Sequence, residues 1–379
     1  MTAFFTSLIW LVPVLGTCQL LLLLDNLSRF KKTYSLKDRK RSTTVSVMIP
    51  ARNEAANIES CIESLKSQTY ENMEVLVFDD CSEDDTATIA TRCIALDERF
   101  RLIIGQGKTE GWAGKNDALR KVVREAGGEI LIFVDADTRL APQAVEGAVA
   151  ILEDENAGLL SLWPRQIMAS LEEKVMMPLL SFILLAFLPI KFAESSPLKE
   201  FTAANGQFMI FSRSAYEKCG GHEALKEEIM DDVRLAQRVK ACGERVIIRD
   251  AGPLATCRMY DSFEKIWQGF RKNLYPAFNN HFILFFSSLS ILAIGHALPM
   301  AALAFALAAG SSGLALAASW QLLNGLTTRV VLAASLKQPL FSTLFHPLAI
   351  SITILMALAS YRGYTGEGVV WKGRIYKRG

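Results

Sequence analysis

Asp135 and Asp137 stand one residue apart where an unbroken apolar run stops, in the stretch ILIFVDADTRL from Ile130 to Leu140. Two carboxylates at that spacing can hold one hard divalent cation and leave coordination positions for phosphate oxygens and water. The spacing predicts convergence, because alternate side chains of an extended chain point to the same side. An aliphatic run without a polar break reads as a strand buried on both faces of a parallel sheet, and the C-terminal edge of such a sheet is where ligands bind. An isolated pair of this kind also serves as a solubilising strand end or a helix cap. Its surroundings decide between these uses.

Ser46–Pro50, SVMIP, reads as a second strand, and the segment after it places Ala56, Ile58, Cys61, Ile62 and Leu65 at helical spacing. Glu74–Phe78, EVLVF, is a further strand that runs into Asp79 and Asp80 and the turn-rich CSEDDT, before another helical segment. The pattern predicts a doubly wound α/β sheet with acids at the ends of its strands, a layout commonly used for nucleotides. Neither early strand is followed by G-x-G-x-x-G or G-x-x-x-x-G-K-[ST], which argues against a dinucleotide fold or a P-loop. Phosphate must then be handled by a metal and by cationic side chains.

Lys115, in GWAGKNDALRKVV, sits at the start of a helical pattern, where its charge opposes the positive end of the helix dipole. The position calls for an anion, with a diphosphate as the chemical candidate and a solvated surface lysine as the plain alternative. Met230–Val239 reads as an amphipathic helix opening on Asp231 and Asp232. Acids there favour a helix N-terminus in any case, and they are also placed to accept a proton.

Together these segments resemble the family-2 glycosyltransferases, in their membrane-bound branch. The matching pieces are IPARNEAANI, FDDCSEDDT, GWAGKNDAL, FVDADT, NGQFMIFSR, MDDVRLAQRV and QGFRK, in family order over about residues 44–280. The W-x-G-K element and the closing WKGRIY are most similar to the branch that glycosylates membrane lipids, such as the hopanoid-associated, carotenoid-acid and ceramide glycosyltransferases. The resemblance implies an inverting transfer of a sugar from a nucleotide sugar, a UDP-sugar first of all, to a lipid acceptor. It implies that Ala51, Glu54 and Asp80 line the base and ribose, with Asp79 beside them able to accept hydrogen bonds from uracil or ribose. It further implies that Asp135 contacts the ribose or the metal, that Asp137 ligates Mg²⁺ or Mn²⁺, and that Lys115 meets the diphosphate.

The same resemblance makes Asp232 the base that takes the acceptor proton; the family usually has Glu-Asp here, and this chain has Asp231 in the first position. Processive members carry Q-x-x-R-W, whereas this chain keeps Gln268 and Arg271 and has Lys272 in place of the tryptophan. Arg271 offers a planar fork to the leaving diphosphate. Loss of the tryptophan speaks for one sugar added to a non-sugar acceptor and against a processive polysaccharide synthase. A non-catalytic membrane scaffold has no physical need for the intact acids.

Hydrophobic residues make up 51% of the 379 residues, enough for one soluble domain and several spans. Phe4–Leu24 is nearly uncharged and reads as an anchor rather than a cleaved signal peptide. The block Arg29, Lys31, Lys32, Lys37, Arg39, Lys40 and Arg41 places the following domain in the cytoplasm by the positive-inside rule, at the plasma or inner membrane. From Phe282 to about Ser360 the chain is apolar, broken near Pro299, Gly310–Gly313, Arg329 and Lys337–Pro339, which fits three or four segments. The tail with Lys372, Arg374, Lys377 and Arg378 prefers the same side, so the number of crossings between should be even. Val175–Phe192 reads as an interfacial helix beside the acceptor or as a core helix. The expected organisation is an anchor over 1–28, a catalytic domain over 42–280, a membrane region over 281–362 and a basic tail over 363–379.

Seven cysteines without a C-x-x-C pair indicate neither a disulfide framework nor a zinc site. His222 reads as a loop residue near the acceptor. A net charge of +2 gives no footprint for nucleic acid.

Overall fold

The computed structural model describes residues 2–32, 41–226, 228, 230–371 and 374–376, so Lys37, Arg39, Lys40, Lys372, Lys377 and Arg378 of the basic segments lie outside the described residues. The chain forms two compact units, one of Arg29–Ile167 with Ile190–Met259, the other of Met1–Ser28, Met168–Pro189 and Tyr260–Gly379.

The α/β unit is built on strands β1 (Val45–Ala51), β2 (Met73–Asp79), β3 (Phe100–Ile104), β4 (Ile130–Val134), β5 (Thr138–Leu140), β6 (Leu159–Trp163), β7 (Arg165–Gln166), β8 (Phe208–Ser212), β9 (Val246–Asp250) and β10 (Ala255–Cys257). Seven of them form one sheet in the order β3-β2-β1-β4-β8-β6-β9, and β5-β10-β7 form a small second sheet. The first four strands of the large sheet are parallel, as the sequence predicts for a doubly wound fold. β8 runs antiparallel to both β4 and β6, so the sheet is mixed rather than wholly parallel.

Period-two packing explains why β4 is apolar throughout. Ile130, Ile132 and Val134 enter the core on one face, and Leu131 and Phe133 enter the core on the other. Burying each such side chain contributes about 1.5–3 kcal/mol. A slip of one residue would exchange the two faces and draw Asp135 into the sheet, so the hydrophobic register fixes where the carboxylates emerge. The helix Ile58–Lys66 buries Ile58, Cys61, Ile62 and Leu65, four of the five positions given by the helical spacing, whereas Ala56 lies exposed in the turn before it.

The second unit is helical. Ile9–Phe30 and Leu340–Thr365 are long and apolar enough to cross a membrane, and Phe282–Ala297 with Pro299–Ala308 form a pair bent by 53° that qualifies as one broken span. Against an expected three or four segments after residue 282, one helix and one bent pair therefore meet both criteria among the described residues. The helix Ser312–Ser335 is long but buries Gln321, Asn324, Thr328 and Arg329. Asn324 Nδ2 donates to the Pro13 carbonyl at 3.0 Å and to Thr17 Oγ1 at 3.1 Å, so part of this polarity joins helices within the unit.

Val175–Phe192 does not form one element. The helix Pro178–Phe187 buries Leu179, Phe182 and Leu185, and Asn26 Nδ2 donates to the carbonyls of Leu185 (2.8 Å) and Leu188 (2.7 Å) at its C-terminal end. Ile190–Ser195 belongs to the α/β unit.

Candidate active site

β1, β2 and β4 end at one edge of the sheet, and β8, running the other way, begins there. That edge collects the acids singled out in the sequence. Ala51 pairs with Asp79 in the β1–β2 register, and the Asp80 N–H donates to the Ala51 carbonyl at 2.8 Å. Asp79 and Asp80 are buried. Asp79 Oδ2 accepts from the Ser82 N–H at 3.2 Å, while its Oδ1 is buried with no hydrogen-bond partner.

Arg52 escaped the sequence reading. Its Nη1 donates to the carbonyls of Asp80 (2.8 Å) and Cys81 (3.2 Å), and its Nη2 to Glu83 Oε1 (3.2 Å), so it holds the loop after β2 in place. Glu54 serves the helix that follows it. Its carbonyl accepts from the Ile58 N–H (2.9 Å), and its Oε2 accepts from Asn57 Nδ2 (2.8 Å).

Asp135 and Asp137 do not lie on an extended strand. β4 stops at Val134, and Asp135-Ala136-Asp137 form a turn closed by the Thr138 N–H on the Asp135 carbonyl at 2.9 Å. Strand periodicity therefore does not aim the two side chains. They still act on each other: burial first, then the neighbouring charges of Asp135 and Glu54, push the Asp137 carboxyl up to about 7. Asp137 Oδ1 is buried without a hydrogen-bond partner.

Lys115 stands in the first turn of the helix Gly114–Val123. Its Nζ lies 2.8 Å from Asp135 Oδ1 and 3.7 Å from Asp231 Oδ2. Burial by itself disfavours the ammonium, but Asp135, Asp231 and Asp232 outweigh it and hold the lysine well above its ordinary range. The next two residues, read only as part of the motif, prove structural. Asn116 Nδ2 donates to the carbonyls of Leu225 (2.5 Å) and Glu228 (3.0 Å), which ties this helix to the loop leading into Asp231. Asp117 accepts from the Thr109 N–H (2.8 Å) and from Lys121 Nζ (2.7 Å). Burial alone would raise its pKa, but the bonds from Lys121, Thr109 and Arg120 bring it down to about 2.

Asp231 and Asp232 open the helix Asp231–Ala241. Asp232 Oδ2 accepts from the Gly206 N–H at 3.0 Å and Oδ1 from the Val233 N–H at 2.8 Å. Burial first and Asp231 second push this carboxyl up to about 6, against the pull of Lys115 and the two backbone donors. Gly206 permits the approach, since a Cβ there would lie 3.3 Å from the Asp232 Cβ and 3.5 Å from Lys115 Nζ.

His222 is not an open loop residue. It is 3% exposed, its Nδ1 is 2.7 Å from the Tyr216 hydroxyl, and burial lowers its pKa to about 4. Gln268 and Arg271 lie on the helix Phe263–Asn273 of the helical unit. There Gln268 Nε2 donates to Glu264 Oε1 at 3.0 Å, and Arg271 Nε is buried without a hydrogen-bond partner. A cleft of about 550 Å³ lined by Glu129, Glu153, Arg213 and Glu217 lies at the other end of β4 and β8, and none of the candidate residues lines it.

This geometry can be set beside known proteins. Residues 46–220, from β1 to the turn before His222, match the model of glycosyl transferase family 2. The chain is 28% identical over 244 residues to the 4,4'-diaponeurosporenoate glycosyltransferase of Staphylococcus haemolyticus, a match that covers 63% of each chain. It is 30% identical over 115 residues to the GalNAc(5)-diNAcBac-PP-undecaprenol beta-1,3-glucosyltransferase of Campylobacter jejuni, covering 30% of this chain and 35% of that one. Both matches span less than two thirds of the relative. In fold, the chain is similar to the mannosyltransferase PcManGT of Pyrobaculum calidifontis, solved with GDP-Man and Mn²⁺, with a TM-score of 0.57 and 21% identity over 93% of this chain and 99% of that one. The carboxylate edge thus sits on a GT-A-like α/β fold, within the stretch of the chain that matches glycosyl transferase family 2.

Proposed function

We propose that this enzyme transfers a single sugar, with inversion, from a nucleoside diphosphate sugar to a membrane lipid, using a divalent metal. The observation that carries the reading is the single sheet edge that gathers Asp79, Asp80, Asp135, Asp137, Lys115 and Asp232, in a chain whose described residues include two helices long and apolar enough to cross a membrane. The relatives act in the same sense, one named for a carotenoid acid and one for an undecaprenol-linked glycan.

The residues suit a metal. Asp137 has a buried, unpartnered oxygen, and the adjoining carboxylates make its charge costly. Among the described residues no group of three His, Cys, Asp or Glu side chains is arranged to hold an ion. An ion held here by one or two carboxylates would be completed by diphosphate oxygens and water. Asp137 and Asp135 would hold Mg²⁺ or Mn²⁺, and the bound ion would neutralise charge on the leaving diphosphate.

Asp79, Asp80, Ala51 and Glu54 bind the nucleoside in this reading. Asp79 Oδ1, buried without a partner, is an acceptor suited to a base N–H such as the uracil imide, and the resemblance puts a UDP-sugar first. Lys115 meets the diphosphate by leaving part of its contact with Asp135. Gln268 and Arg271 are assigned to the leaving diphosphate by their resemblance to Q-x-x-R-W alone.

Asp232 takes the acceptor proton. It works only when ionised, so kcat/KM should fall as pH drops below about 6 and level off above it. A pH–rate profile measures this limb, and a flat profile from pH 5 to 8 would remove Asp232 from the role. By the positive-inside rule, the basic residues after the first helix support a cytoplasmic side for the domain in this reading. Two of these, Lys32 and Arg41, pair with Glu155 and with Glu153 and Asp154. Mass spectrometry of membrane lipids from cells with and without the gene should reveal one glycolipid that depends on it; identical lipid profiles would count against the lipid acceptor.

A further inference from the structure

The described residues of the α/β unit expose six large apolar side chains, Leu96, Ile104, Ile167, Phe192, Leu198 and Phe201. Half of them, including both aromatics, fall within residues 192–201, where they are 43%, 47% and 37% exposed with the whole chain present. An exposed leucine or isoleucine standing alone is ordinary on a protein surface. This group is a patch, because the Phe192 and Phe201 rings meet edge to face with centroids 5.0 Å apart.

The patch has a built inner side. In the helix Ile190–Ser195, Ile190 and Ala193 are buried while Lys191 and Phe192 are exposed. Two buried cations hold this helix from within: Lys240 Nζ donates to the Ala193 carbonyl, and Arg249 pairs with Glu194. A single 3₁₀ turn, Lys199–Phe201, is closed by the Thr202 N–H on the Lys199 carbonyl at 3.2 Å and brings Phe201 back to Phe192. The same segment leads to the base. Lys240 lies on the helix that opens with Asp231 and Asp232, and Gly206, shortly after Phe201, donates its N–H to Asp232.

The chemistry of the patch indicates what covers it. With Glu194 engaged by Arg249, its exposed charges are Lys191, Lys199 and Glu200, positive on balance. Phenylalanine and leucine beside lysine suit a lipid headgroup boundary, where rings enter the acyl edge and ammonium groups reach phosphates. The chain also enters this segment directly from the helical unit, since the boundary falls between Pro189 and Ile190. We propose that residues 191–201 form a bilayer-contacting lip of the α/β unit, with Phe192, Leu198 and Phe201 inserted at the headgroup boundary. The proposal rests on the reading of the chain as a membrane enzyme.

The test places the photoreactive amino acid p-benzoylphenylalanine at Phe192, Leu198 or Phe201, one position per protein. Each full-length protein is reconstituted into vesicles of phosphatidylethanolamine and phosphatidylglycerol, irradiated, and weighed by intact-mass spectrometry. Leu21, which is 61% exposed on the helix Ile9–Phe30, is the membrane control, and Leu96, fully exposed on the α/β unit, is the aqueous control. Phospholipid adducts at the three positions should exceed those at Leu96 by about 10-fold or more, the preference of one large apolar side chain for leaving water. Adducts at Leu21 with none above the Leu96 level at the three positions would overturn the proposal. Cross-links to a second copy of the chain in place of lipid would overturn it too, making the patch a contact between copies. Circular dichroism checks that each protein folds, and the separate positions keep the test open if one does not. Absence of lipid adducts at Leu21 as well overturns the membrane reading itself, a result distinct from loss of the lip alone.

Discussion

Asp137→Asn should remove nearly all glycosyl transfer and most metal-dependent donor binding, while the protein without ligands melts no lower than wild type. The two halves of that expectation have one cause. Burial, Asp135 and Glu54 all disfavour a charge at Asp137, so a neutral amide of the same shape relieves the folded protein at neutral pH. The same crowding is what a divalent ion would offset, and an amide cannot supply the charge that offsets it in return. Loss of a direct ligand should exceed the roughly 10- to 100-fold effect of an outer partner. Calorimetric titration of UDP with and without Mn²⁺ measures it. Donor binding that is equally strong without metal, or unchanged by the substitution, would rule out the role given to Asp137.

Asp232→Asn should lower kcat by about 10²- to 10⁴-fold, the usual contribution of a positioned base, with donor affinity nearly unchanged. The carboxylate is held by the Gly206 and Val233 N–H groups, so its orientation is set by backbone. An amide keeps one of these contacts and turns a donor toward the other, which should cost about 1–3 kcal/mol of stability. Asp231→Asn is the control. Asp231 faces Lys115 at 3.7 Å, and its loss should weaken the hold on that lysine while leaving the proton acceptor in place. A larger kcat loss in Asp231→Asn than in Asp232→Asn would exchange the two assignments.

The parts of the fold legible in the sequence are those where one local property decides the outcome. β4 is an unbroken apolar run, and β1 and β2 are apolar but for Ser46 and Glu74; burial on both faces dictates that composition, and all three run out into acids or turn residues. The helix after β1 shows its buried face in its spacing. β8 is as apolar as β4, and nothing in FMIFS records that it runs antiparallel; its direction follows from the chain path between β6 and β9. The turn at Asp135–Asp137 could not be told from a continued strand, because it is closed by a backbone bond and braced by Gln207 from a distant part of the chain.

The candidate site divides in the same way. Acids at strand ends stand out because they close apolar runs, and the lysine at a helix start because its charge opposes the helix dipole. Asn116, Asp117 and His222 gave no such signal. A polar residue on a helix or in a glycine-rich turn reads as solvated, and only the fold brings Leu225 to Asn116 and Tyr216 to His222. Arg52 acts through a partner distant in sequence, the Asp80 carbonyl, and the buried Cys257 meets Gln207 in the same way.

The central claim is that one sugar passes from a nucleotide sugar to a membrane lipid. It is tested most directly by incubating the purified full-length protein with radiolabelled UDP-sugars, Mn²⁺ and a membrane extract, then partitioning the products between organic solvent and water. The label should enter the organic phase as a discrete product, and Asp232→Asn should not form it. Label collecting in a water-soluble polymer that lengthens with time would contradict the account and favour a processive polysaccharide synthase.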